Sequence, residues 1–301
     1  MTENPAHRPV IGIFWMLVTG LCFVAVTALV KLVGIRIPAA EAAFLRYALG
    51  LVFLLPMIGP IRRARLTRRQ LGLFGLRGVL HTGGVILWFF AMARIPLAEV
   101  TAMNYLAPVY VTVGAALFLG EKLALRRIMA VVVALIGTAI ILRPGFRELD
   151  MGHIAMLFTA VFFAGGYLLA KVLSDEASPA VVVGMLSITV TIGLAPAAAA
   201  VWVTPTPWEL GVLFLVACFA TAGHYTMTMA FAAAPVTVTQ PVSFLQLVWA
   251  VLLGLVLFNE APDIWVIVGG LVIIGAISFI TWREAVLNRR QITPLVGQTK
   301  L

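Results

Sequence analysis

The sequence predicts an all-α, polytopic membrane protein of ten transmembrane helices, built as two inverted five-helix repeats. Three observations carry that prediction. Of the 301 residues, 62% are hydrophobic and 11% charged, which leaves too few polar side chains to solvate a globular surface. Apolar segments of about 20 residues, the helix length that crosses a bilayer core, recur from end to end. One stretch also occurs twice. It runs A-M-A-R-I-P-L-A-E-V-T from Ala91 to Thr101 and on to L-G-E-K at Leu119–Lys122, then A-F-A-A-A-P-V-T-V-T-Q from Ala230 to Gln240 and on to F-N-E-A at Phe258–Ala261. Pro96 pairs with Pro235 and Glu121 with Glu260 without a gap. Each interval of roughly 22 residues, at about 1.5 Å per residue, spans the hydrocarbon.

In order, the spans are expected near 10–33, 40–59, 71–93, 97–119, 125–143, 152–173, 179–202, 208–232, 235–258 and 263–282. The first is long for the apolar region of a signal peptide and is read as an uncleaved span. Pro38, Thr67, Pro179 and Pro207 each stand just before a span, where helix initiation tolerates them. The repeat extends through the other spans. Thr19–Lys31 of span 1 lines up with Thr159–Lys171 of span 6, and A-L-I-G-T-A-I-I-L before Arg143 in span 5 with V-I-I-G-A-I-S-F-I before Thr281 in span 10. Residues 1–147 and 148–290 are thus expected to form the two units, with 291–301 a disordered tail. Five is odd, so the second unit must enter the membrane from the opposite side. Two inverted copies give one pathway closed at either side by related but opposite contacts, the arrangement that alternating access requires. Duplication kept for stability alone is the blander account.

The net charge of +9 is not a nucleic-acid footprint, because the basic residues form no patch with interleaved aromatics. Arg62, Arg63, Arg65, Arg68 and Arg69 share one short connection, Lys122, Arg126 and Arg127 another, and Arg283, Arg289 and Arg290 the C-terminal end. Under the positive-inside rule these segments are cytoplasmic, and both termini are expected inside. Cys22 and Cys218 fall within apolar segments, without disulfide or metal spacing, and are read as small hydrophobes.

The run A-R-I-P-L-A-E-V-T-A-M-N-Y-L-A-P-V-Y-V-T-V-G-A-A-L-F-L-G-E-K-L, followed by V-A-L-I-G-T-A-I-I-L, resembles the EamA-type permeases of the drug/metabolite transporter superfamily, as does F-L-R-Y at Phe44–Tyr47. The likeness covers residues 10–283, twice over, and is closest in general pattern to bacterial amino-acid exporters of the YddG kind. It implies ten helices around a central cavity and movement of metabolites across the bacterial inner membrane, often outward. The implied partners are a small solute and membrane lipid, with no cofactor, and the chain would be a monomer or homodimer. One departure is visible. The family's proline is Pro108 in the first half, but the aligned position in the second is Leu247, so a hinge role for it is supported on one side only.

Such a pathway needs polar or aromatic side chains at mid-depth, since a polar group facing lipid is costly. Span 3 offers His81 and Trp88, seven residues apart on one face. Span 4 offers Thr101, Asn104, Tyr105 and Pro108; span 6 adds Phe163 and Tyr167; span 8 offers Thr221, His224, Tyr225 and Thr228; span 9 offers Thr239, Gln240, Ser243 and Gln246. The stripes of spans 3, 4, 8 and 9 are expected to line one cavity. His81, Trp88, Asn104, Tyr105, Tyr167, His224, Tyr225 and Gln246 form the expected solute-binding set. Structural readings stand beside this one. Hydroxyls can bond the carbonyl four residues back, amides can tie helices together, and the glycine pairs at 83–84, 165–166 and 269–270 permit close packing. Trp202, Trp208 and Trp282 sit at span ends as interface anchors.

Arg46, Pro108, Glu121 and Glu260 are the gating or structural candidates. Arg46 either snorkels outward, pairs with Glu41 or meets a solute carboxylate, and Arg77 is expected to snorkel to the cytoplasm. Glu41, Glu99, Glu121, Glu209 and Glu260 all stand at span ends, so neither a carboxylate proton relay nor a sodium or other metal site is expected. The composition suits a small neutral or zwitterionic solute, such as an aromatic or other hydrophobic amino acid, exported downhill. An exporter of lipophilic cationic drugs or other metabolites is the alternative, although the embedded acid expected for cations is missing. A lipid-processing enzyme would need an acidic metal cluster or an H-E-x-x-H helix, and neither is present.

Overall fold

A computed structural model describes residues 9–118, 125–146, 148–174, 176–234, 239 and 242–292. Helices fill every predicted span. Span 1 is Pro9–Val33; span 2 is Ala39–Gly50, continued by a 3-10 stretch Leu51–Met57 and the short helix Ile58–Arg63; span 3 is Arg68–Met92. Span 4 is Leu97–Asn104 with Leu106–Phe118, span 5 Leu125–Leu142, span 6 Met151–Ser174 and span 7 Pro179–Ala200. Span 8 is Pro207–Ala233, span 9 Leu245–Phe258 and span 10 Ile264–Ile292. Among the described residues, eight helical stretches are long and apolar enough to cross a membrane, and two shorter apolar helices, Ile128–Leu142 and Leu245–Phe258, belong to spans 5 and 9. Glu121, Pro235, Gln240 and the tail beyond Ile292 lie outside the described residues.

The repeat reappears as paired local structure. Thr67 and Thr206 hold equivalent places before spans 3 and 8, and each closes a capping box, with Gln70 and Glu209 respectively. Spans 4 and 9 both break, and at equivalent residues. Tyr105 N–H donates to the Ala102 carbonyl at 3.3 Å, and Leu247 N–H to the Phe244 carbonyl at 3.1 Å, so the ladder tightens locally to 3-10 bonding. In span 4 the cause is Pro108, which has no amide to offer the Asn104 carbonyl. Span 9 breaks without a proline at Leu247, so the discontinuity is two-sided although the proline is not. The Ser243 carbonyl, which an unbroken helix would give to the Leu247 amide, instead accepts the Tyr105 hydroxyl at 3.4 Å. The two break points touch, with Tyr105 edge-on to Phe244 at 5.3 Å.

Among the described residues, the most extensive contacts join one half to the other. Span 1 packs on span 8 and, equivalently, span 6 on span 3; span 5 packs on span 10 and span 2 on span 7. Thr19 and Thr226 hydroxyls meet at 2.9 Å between spans 1 and 8. A Cβ on Gly137 would stand 2.8 Å from the Gly269 carbonyl oxygen, and one on Gly269 2.5 Å from the Gly137 oxygen, so the backbones of spans 5 and 10 touch.

The connections after spans 1, 3, 5, 7 and 9 converge at one end of the bundle, where ion pairs lock them together. Lys31 pairs with Glu260 at 2.6 Å and donates to the Ile95 carbonyl at 2.8 Å, while Glu260 also accepts the Leu97 N–H at 2.9 Å. Arg36 pairs with Glu209, Arg143 with Asp263, and the buried Glu99 with His153. At the other end, the exposed pair Arg69–Glu176 joins two connections at 2.6 Å, and the hydrogen bond from Arg69 holds the Glu176 carboxyl below its usual range.

Three outcomes are expected. Glu260→Gln leaves the largely desolvated Lys31 ammonium without its partner and should cost on the order of 3 kcal/mol, read as a lower thermal-unfolding midpoint in detergent. Gly137→Val should cost about 1–3 kcal/mol by forcing spans 5 and 10 apart. Gly275→Ala, with nothing within 4 Å of the added carbon, should leave the midpoint unchanged.

Candidate functional site

Close approach of spans 3 and 6 builds the centre of the molecule. A Cβ on Gly84 would meet the Phe163 ring at 2.7 Å, so a bare backbone here lets that ring slide against span 3. Phe163 then stacks on His81 at 5.0 Å, lies edge-on to Trp88 at 6.0 Å and neighbours Tyr167 at 6.3 Å. Span 2 adds Tyr47, whose hydroxyl is hydrogen-bonded to His81 Nε2 at 3.0 Å. Arg46 lays its guanidinium over the Tyr47 ring at 4.0 Å.

A related pair joins spans 1 and 8. Phe23 and Phe163 hold equivalent positions in spans 1 and 6, and Phe23 lies edge-on to His224 of span 8 at 5.1 Å. Each phenylalanine therefore packs on an imidazole of the helix its own span is paired with. Span 2 thus reaches span 3 through Tyr47 and His81, and span 1 reaches span 8 through Phe23 and His224. Tyr167 is 49% exposed, and His224 is exposed as well, although both lie within long helices that pack against the other half.

The remaining expected residues fall elsewhere. Tyr105 is buried against Phe244 at the paired breaks, and the Asn104 amide oxygen, next to it, has no protein partner among the described residues. Gln246 is half-buried where span 9 passes Gly20 of span 1. Tyr225, 64% exposed, joins none of the ring contacts although it adjoins His224. Pro108 is exposed beside the break, and Glu260 belongs to the ion-paired end. The ring cluster thus joins His81 and Trp88 of span 3 to Phe163 and Tyr167 of span 6, with Tyr47 of span 2 beside them, while Tyr105 of span 4 packs at the breaks.

Two arginines need restating. Arg77 does not snorkel: it is 8% exposed and donates from Nη1 to the Val182 carbonyl at 2.9 Å. Span 7 packs across span 3 and supplies that carbonyl before the guanidinium can reach water. Arg46 does not pair with Glu41, whose carboxylate accepts the Val203 N–H at 2.8 Å instead. Tyr47 was the residue that sequence reasoning missed. Its signal was its place in F-L-R-Y, next to an arginine inside a span. Asp150 caps the start of span 6 through the Gly152 N–H at 2.6 Å, and His153 pairs with Glu99, so these polar residues serve the connections. Among the described residues no group of three or more His, Cys, Asp or Glu converges.

Known proteins match the chain along its length. A solved crystal structure superposes with a TM-score of 0.58 over 96% of this chain and 100% of its own, at 18% identity, which shows a shared fold. The chain is 29% identical to a riboflavin transporter of Vibrio cholerae serotype O1 (95% of this chain, 97% of the relative). It is 27% identical to an S-adenosylmethionine uptake transporter of Rickettsia bellii (91% and 94%). It is 28% identical to the pseudopaline exporter CntI of Pseudomonas aeruginosa (88% and 94%). These named solutes give the YddG kind of amino-acid exporter no particular support. The sequence profile of the EamA-like transporter family matches residues 10–143 and again 150–282. The chain belongs to the EamA-like transporter family: it is a multi-pass membrane transporter and not an enzyme.

Proposed function

We propose that the chain is a facilitative permease of the bacterial inner membrane, with both termini cytoplasmic. It moves a small neutral or zwitterionic solute bearing a planar or hydrophobic group, an aromatic amino acid above all, in the outward direction. The two units, 1–147 and 148–290, alternate in access around the central site.

The observation that carries this reading is the His81–Phe163–Trp88 cluster with Tyr47 and Tyr167 beside it, between helices of both halves. Rings held edge-on and stacked leave faces for one more ring, and each such contact contributes about 0.5–1.5 kcal/mol beyond burial. The Trp88 indole N–H and the Asn104 amide oxygen, buried and without protein partners among the described residues, are polar groups a solute or its water would satisfy. Riboflavin, the solute named for one relative, is itself planar and aromatic, which supports a ring-binding site. Tyr105 and Phe244 mark the axis about which the units rock, with Pro108 loosening one side and the Glu260 ion pairs closing one end.

Flux into proteoliposomes tests the reading. Labelled tryptophan, phenylalanine, methionine and riboflavin would be followed with and without a proton gradient. Saturable flux of at least one, indifferent to the gradient and reduced about tenfold or more by His81→Ala, is expected from loss of a stacked ring and its hydrogen bond. Flux confined to lipophilic cations, or untouched by His81→Ala, would place the solute elsewhere.

A further inference from the structure

Arg46 stands apart from every other charged group at depth. It lies two turns inside span 2, roughly 10 Å along the helix from its start, and is half-buried. Other charged groups of the first unit have partners elsewhere: one oxygen of Glu41 accepts the Val203 amide, Arg36 pairs with Glu209, Lys31 with Glu260, and Arg77 donates to the Val182 carbonyl. Arg46 has no ion pair or hydrogen bond among the described residues, and its guanidinium rests on the face of Tyr47. Its guanidinium adjoins the ring cluster, because the Tyr47 ring beneath it is hydrogen-bonded through its hydroxyl to His81.

We propose that Arg46 is the anchor for a carboxylate carried by the solute, so that the site accepts planar molecules bearing a carboxylate and rejects those whose only charge is positive. The inference rests on the ring-binding reading above and narrows it. Stacking on Tyr47 fixes the plane of the guanidinium and leaves its fork of N–H donors for a bidentate carboxylate. Tyr47 in turn is held by His81, so the anchor and the ring site are one connected structure. A cation beside the Tyr47 ring meets the Arg46 guanidinium, which has no ion pair among the described residues, and low-dielectric surroundings make that repulsion long-ranged.

Three indoles that differ in one group provide the test: indole-3-acetate, indole-3-acetamide and tryptamine, titrated calorimetrically into the purified full chain. The acetate is expected to bind about tenfold to a hundredfold tighter than the acetamide, as a charge-assisted hydrogen bond requires, and tryptamine weakest. Arg46→Gln should bring the acetate down to the acetamide, whose retained binding would show the site still folded, and Arg46→Lys should keep part of the preference. Equal binding of all three by the wild-type chain would overturn the anchor and leave the ring site standing. A preference that survives Arg46→Gln would do the same. If no indole binds, the ring-binding reading fails and the anchor with it.

Discussion

Neither half of this chain can cover its own helices. Span 1 finds its main partner in span 8 and span 6 in span 3, so each unit is closed by the other. Lipid tails are as apolar as leucine, and helices in a membrane gain little by hiding apolar surface from them; close packing and interhelical hydrogen bonds decide association. That explains where the small and hydroxylic residues stand. Gly137 and Gly269 let two backbones touch, Gly84 admits Phe163, and Thr19 bonds Thr226 across the boundary. The same exchange of partners puts the aromatic cluster at the boundary, where a rocking motion changes its shape most.

The two ends of the bundle differ in how they are held. At one end Lys31, Glu260, Arg36, Glu209, Arg143, Asp263, Glu99 and His153 tie five connections into a network, several members of which are buried. Desolvated pairs of this kind add less to stability than their number implies, but breaking one leaves an uncompensated charge. If the two units alternate in access as proposed, these pairs would serve as latches at one end, and the opposite end would reach a related arrangement in the other state.

Much of this was legible in the sequence, and the reasons differ by feature. Span number and placement follow from the bilayer's fixed thickness, which leaves a helix little freedom of length. The repeat was legible because Pro96, Pro235, Glu121 and Glu260 punctuate both copies alike. His81, Trp88 and Tyr167, which pack around Phe163, stood out in the sequence because polar or amphipathic rings in apolar helices are conspicuous. Arg77 was misjudged because its partner is a backbone carbonyl on span 7, which leaves no trace in the sequence. Tyr225 and His224, adjacent in the chain, point about 100° apart, and no periodicity says which of two neighbours faces inward. The break in span 9 was hidden for a similar reason: a tyrosine hydroxyl on another helix takes the Ser243 carbonyl, and a search for prolines cannot see it.

The symmetry of the fold is not matched by symmetry of charge. Phe23 with His224 repeats the theme of Phe163 with His81, so rings meet similar surroundings from either half. Arg46 and Arg77 have no such echo. Span 7, the counterpart of span 2, carries no charged residue between Pro179 and Ala200, and span 8, the counterpart of span 3, has only Glu209 in its first turn. If Arg46 anchors the solute as proposed, the positive potential stays with the first unit in every conformation, and a solute held by an anionic group keeps its orientation toward that unit while its ring faces two related aromatic neighbourhoods.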